Sequence, residues 1–190
     1  MPLLDAYIPK DALSPDAEQT LLTTLTDLLL KHEGVDPSNP TGRHLAWLFV
    51  HRPEVYVAGR HRRSPRYRFI CQVPEGQYDT ERRAEMTAGI TQAVITAEDG
   101  AFPHPERRIV IFTCEVPEGW WSGGTGALGL ADIYELVWPL RPDMVGAPRD
   151  AAAAVLAERR TRAAHHILAA AGSPPHADIS TTTAETSCDR

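Results

Sequence analysis

Hydrophobic and polar positions alternate between two rhythms along this chain, and the order of those rhythms repeats. "LLDAYI", residues 3–8, is a short apolar stretch of strand length. "PDAEQTLLTTLTDLLLKHE", residues 15–33, places Leu21, Leu22, Leu25, Leu28 and Leu29 on one helical face. Ser14 suits the N-cap, Pro15 the first turn and Gly34 the stop. A Pro/Asn/Gly-rich connection over 35–43 leads into "HLAWLFV", a continuous apolar run of the kind buried parallel strands show. The first third therefore predicts strand, helix, strand.

The same order recurs. "YRFICQV" predicts a strand, and the helix over 80–97 carries Met86, Ile90, Ala93, Val94 and Ala97 behind an Asp79 cap. "RRIVIFTCEV" predicts the strand that closes the unit. The ends match as well: "RPEVYVAGR" and "VPEGWWSGGT" each run Pro-Glu, bulky residues, then glycine, about 64 positions apart. The pattern predicts an α/β (α+β) fold of tandem β-α-β units, residues about 2–59 and 66–124, with right-handed crossovers and parallel inner strands. Two such units make a four-stranded sheet with both helices on one face. The other face is expected to be apolar and covered by further copies of the chain.

Beyond Thr125 the pattern is less regular. "LGLADIYELVWP" fits a strand or a short helix and is read as a strand, completing a domain over 1–145. "PRDAAAAVLAERRTRAAHHILAAAG" predicts a C-terminal helical extension over 146–172. The polar tail 173–190 has a disorder-prone composition.

Charge and composition narrow the partners. Nineteen basic against twenty-five acidic side chains, a net −6, argue against nucleic acid. No apolar run reaches membrane-spanning length, and the opening lacks the basic region and cleavage site of a leader, so a cytoplasmic protein is expected. Cys71, Cys114 and Cys188 are far apart and odd in number, which fits reduced thiols. The eight histidines show no zinc spacing, so no metal site is expected. "GGTG" lacks the lysine of a phosphate loop and reads as a hairpin; His165 and His166 read as solvated on the last helix. "GRHRRSPRYR" reads as a solvated basic link between the units, with a polyanion patch as the alternative.

Two β-α-β repeats behind a proline at position 2 resemble the tautomerase superfamily. "PLLDAYIPKDALSPDAE" is similar to the opening of its cis-3-chloroacrylic acid dehalogenase branch. "EVPEGWWSGG" is similar to the strand end and hairpin of 4-oxalocrotonate tautomerase, and "HRPE" with "WSGG" resembles malonate semialdehyde decarboxylase. The resemblance implies a trimer, a small carboxylate or enol substrate, and loss of Met1 so that Pro2 becomes a secondary amine acting as general base. It also implies an aromatic pocket wall at Trp121.

The pattern departs from the family where its dehalogenases carry two loop arginines, since Pro74 and Gln77 stand there. The decarboxylase aspartate falls near Arg43, and the dehalogenase tyrosine near Phe112. Arg43, His51, Arg52 and the Gln77 amide are the candidate substrate-binding groups. Tautomerisation of a 2-oxo or enol acid is the first reading. Hydration, dehalogenation or decarboxylation of a small acid is the second, and a non-catalytic oligomeric binding protein the third.

Overall fold

The computed structural model describes residues 3–61, 63–124, 126–141 and 143–172. Pro2, Arg62, Cys188 and the 173–190 tail, all singled out in the sequence, lie outside the described residues. The chain runs β1 (Leu3–Tyr7), α1 (Pro15–His32), α2 (Pro40–Leu45), β2 (Trp47–His51), then the short strands β3 (Tyr56–Val57) and β4 (Arg60–His61). The second unit is β5 (Tyr67–Pro74), α3 (Thr80–Glu98) and β6 (Ile109–Val116), followed by β7 (Trp121–Gly123) and β8 (Gly126–Leu128). Two helices close the chain, α4 (Leu130–Val137) and α5 (Pro148–Gly172).

Local signals start the two long helices as expected. Ser14 Oγ accepts from Ala17 N, and Asp79 Oδ1 accepts from Arg82 N. Each cap satisfies a backbone donor that a helix end otherwise leaves unpaired. Leu21, Leu25 and Leu29 of α1 and Met86, Ile90 and Val94 of α3 are buried against Leu4, Ala6, Phe69 and Cys71 of the sheet. Burying a side chain of this size is worth about 1.5–3 kcal/mol, so this helix-covered face holds the main core.

The sheet order is β2-β1-β5-β6. Strands are parallel within each unit, but the two inner strands, β1 and β5, pair antiparallel, contrary to the sequence expectation. The cause lies in the connection over 52–66. It stays at the end of the sheet where β2 finishes, so β5 has to run back the other way.

Two further expectations change. The segment read as a strand after Thr125 folds instead into β8 and the helix α4. Its start is fixed by Glu118, which accepts from Leu130 N at 3.0 Å, and by Asp132, which accepts from Gly129 N. The connection over 35–43 contains α2, capped by Asn39 with Pro40 in the first turn.

The sheet face opposite the helices exposes Trp47, Phe49, Val110 and Phe112. It is less uniformly apolar than expected. His51 Nε2 lies 2.6 Å from Asp5 Oδ1 and its ring stacks on Tyr7, while the Arg68 guanidinium sits over both Tyr7 and Phe112. A polar string thus crosses an aromatic surface.

Candidate active site at the head of the first strand

β1 enters the sheet at its first described residue. Leu3 is already flanked on both sides, by Trp47 of β2 and Gln72 of β5. An interior strand is a firm place to begin, because neighbours on both edges hold its backbone. The antiparallel pairing brings the C-terminal end of β5 to this head, and with it the loop from Pro74 to Asp79. β6, parallel to β5, finishes here too at Val116 and turns into the β7–β8 hairpin.

Glu115 organises the loop. Its Oε1 accepts from Gly76 N at 3.0 Å and from Tyr78 N at 2.9 Å. Its Oε2 lies 2.7 Å from Arg159 Nε of α5 and 3.5 Å from Arg83 Nη2 of α3. Arg83 also donates to the carbonyl and hydroxyl oxygens of Thr113. One buried carboxylate therefore ties β6, the loop, α3 and α5 together, and charge-assisted bonds are the stronger ones available for this.

Gln77 is buried, and its Nε2 donates to the Tyr134 hydroxyl of α4 at 3.0 Å. Its amide is engaged within the fold. Arg82 donates to the Gln77 carbonyl at 3.2 Å and is otherwise turned outward, without an ion pair among the described residues. Trp121 is buried at the start of β7, whereas its neighbour Trp120 is exposed. On the last turn of α1, burial holds the His32 imidazole below its ordinary range, against the pull of Glu85. Chiefly through burial the Cys71 thiol is pushed up to about 12, so it is no nucleophile at neutral pH.

The other candidates are engaged with partners of their own. Arg43 on α2 bonds Asp27 Oδ1 at 2.6 Å and the Pro37 carbonyl. His51 and Arg52 lie at the far end of β2, where His51 pairs with Tyr7 in register and Arg52 grips Glu18 through two bonds. A five-residue strand separates them from Leu3, about 13 Å at the usual rise. The structure brings Gln77 and Trp121 to the head of β1 and leaves His51 and Arg52 at the opposite end. Sequence reading missed Glu115, Arg82, Arg83 and Arg159. The pair in "TERRAE" was the visible signal, one helical turn past the loop.

The loop carries a stability test. Gly76 has φ +91°, and a Cβ there would lie 2.5 Å from Val155 Cγ1 of α5. Gly76→Ala is expected to destabilise the fold by at least about 1–3 kcal/mol from backbone strain alone. A urea melt that superimposes on the unmodified one would show that α5 does not press on this loop.

No protein-family model and no curated protein matches this chain by sequence. Solved structures do resemble it. A native fused 4-OT superposes with a TM-score of 0.53 at 12% identity, over 66% of this chain and 94% of that one. A member of the cis-3-chloroacrylic acid dehalogenase (cis-CaaD) family gives 0.51 at 14% identity, over 66% and 82%. Pt0534 inactivated by 2-oxo-3-pentynoate gives 0.52 at 16%, over 65% and 93%. A paired β-α-β sheet with both helices on one face, shared over 82–94% of the length of these structures, gives this chain their fold.

Proposed function

We propose that this protein is a cofactor-independent keto–enol tautomerase acting on a 2-oxo or enol acid, with Pro2, once Met1 is removed, as the general base. The observation that carries this reading is the position of Leu3. It is held between two strands, so the backbone at the head of the sheet is fixed from its first described residue. A processed Pro2 would be a secondary amine, and a terminal amine has an ordinary pKa of about 8 that a desolvated site lowers toward neutrality. Taking a proton from an enol hydroxyl and returning one to the neighbouring carbon needs only such a base and a counter-charge for the carboxylate.

Arg82 supplies that counter-charge in this reading, because Arg83 and Arg159 are already matched by Glu115. Gln77 and Trp121 serve as pocket wall. Arg43, His51 and Arg52 are engaged with Asp27, Asp5 and Glu18 and take no direct part. Intact mass together with a spectrophotometric screen of enolpyruvates and unsaturated acids tests it. Processed protein that turns over an enol acid supports the proposal, and hydration of unsaturated acids alone would move it to the hydratase reading. Retained Met1 with no turnover favours the non-catalytic binding protein. The engagement of the Gln77 amide by Tyr134 favours that alternative.

Self-association belongs to the same proposal. Fused 4-OT structures that resemble this chain are described as a symmetric and an asymmetric trimer. The exposed Phe49, Phe112 and Trp47 give this chain a surface of matching character. Sedimentation velocity at micromolar concentration is expected to show a trimer, and Phe112→Asp to shift it toward monomer. A monomeric unmodified protein would remove the sheet face as an interface.

A further inference from the structure

The two units of the sheet are related by a twofold axis, and it gives the head of β1 a counterpart at the opposite end. β1 and β5 pair around Asp5 and Ile70. The same 65 positions separate the caps Ser14 and Asp79, and the left-handed residues Asp11 and Gly76. By that offset, Tyr67 corresponds to Pro2, and the loop "PKDALS" to the loop from Pro74 to Asp79.

A cleft of about 270 Å³ occupies this counterpart position. Its walls include Lys10 from the loop after β1 and His61, Arg63 and Arg66 from the link between the units. Asp11 and Glu54 line it as well: Glu54 accepts from the neutral Tyr56 hydroxyl, and Asp11 lies near Arg52, whose two-bond partner is Glu18. Lys10, Arg63 and Arg66 form no ion pair among the described residues. In a chain of net charge −6, three cations against two carboxylates leave this cleft with a local positive excess that attracts a small anion.

The corresponding backbone nitrogen offers no amine base here. Tyr67 N is a peptide amide that donates to the Arg108 carbonyl at 2.7 Å, so it has no basic lone pair. This end has a cleft and cations without an amine base. We propose that this cleft is a second, non-catalytic site that binds a small oxyanion, phosphate or carboxylate, between Lys10, Arg63 and Arg66. Guanidinium groups suit either anion through paired N–H donors, and Lys10 adds a point charge.

Calorimetric titration at low ionic strength, with inorganic phosphate and with malonate as separate probes, tests the site. At least one is expected to bind saturably with a Kd at or below about 1 mM. Whichever binds identifies the anion class. Lys10 and Arg63 are both exposed, so Lys10→Ala with Arg63→Ala leaves the core intact. The double substitution is expected to weaken binding by at least about tenfold, the usual scale for a lost charged hydrogen bond. Arg66→Ala is expected to weaken it similarly. Binding is read without turnover, so the result does not depend on Pro2 acting as a base. Failure of both probes to titrate, or unchanged affinity in the Lys10/Arg63 double variant, would overturn the proposal.

Discussion

Keeping a methionine ahead of Pro2 is expected to lower kcat/KM for an enol acid by about 10²–10⁴-fold, the usual contribution of a general base. The cause is chemical rather than steric. An amide nitrogen has given its lone pair to the carbonyl and cannot accept a proton at neutral pH. The pH profile supplies the sign. A base works in its unprotonated form, so activity should rise with pH and level off above the amine's pKa, at or below about 8. Pro2→Ala keeps an amine at the same place after processing and is expected to retain partial activity with a shifted limb. Comparison of capped and processed protein, with fold checked by circular dichroism, decides the matter. Equal rates would end the amino-terminal base and pass the burden to a side chain at this end, His32 first.

The largest expected loss of stability comes from Arg108→Ala. Arg108 and Glu98 form a two-bond pair, at 2.6 and 2.5 Å, with both side chains almost wholly shielded from solvent. The remaining donors of the guanidinium reach the carbonyls of Pro103, Phe102 and Pro65. This one side chain therefore joins the end of α3, the turn before β6 and the link before β5. Removing it leaves Glu98 buried and uncompensated, which costs about 3–5 kcal/mol. For a chain of this size that is a drop in Tm of roughly 10 °C. Replacing the pair together, Glu98→Leu with Arg108→Met, is expected to recover much of the loss, because two apolar groups need no mutual neutralisation. A melting temperature unchanged in Arg108→Ala would mean that the pair is hydrated in solution.

How legible the fold was depended on the range of the forces involved. The starts of α1 and α3 are written within four residues of each cap, and both were readable. Their apolar stripes were readable for the same reason. α4 was not, because one of the two carboxylates that fix its start, Glu118, lies twelve residues upstream of Leu130. An apolar run such as "LGLADIYELVWP" satisfies both periods, and only a distant partner decides between them. α2 has good local signals in Asn39 and Pro40, but six residues show no periodicity. The antiparallel meeting of β1 and β5 is set by where the 52–66 connection travels, which composition does not encode. At the site, the absence of arginine at positions 74 and 77 was plain. That Glu115 would hold the loop's amides, and that the cations would come from α3 and α5, required the packed chain.

The duplication also makes the protein its own control for one backbone question. Asp11 and Gly76 hold corresponding left-handed positions, at φ 61° and 91°, yet only one is glycine. Aspartate can adopt such a conformation, so the turn by itself does not demand glycine. What differs is the neighbourhood: Val155 crowds residue 76. The glycine at 76 is thus a trace of the helix that docks there. Trimming that neighbour, as in Val155→Ala, should let position 76 accept asparagine or aspartate, much as its twin already does.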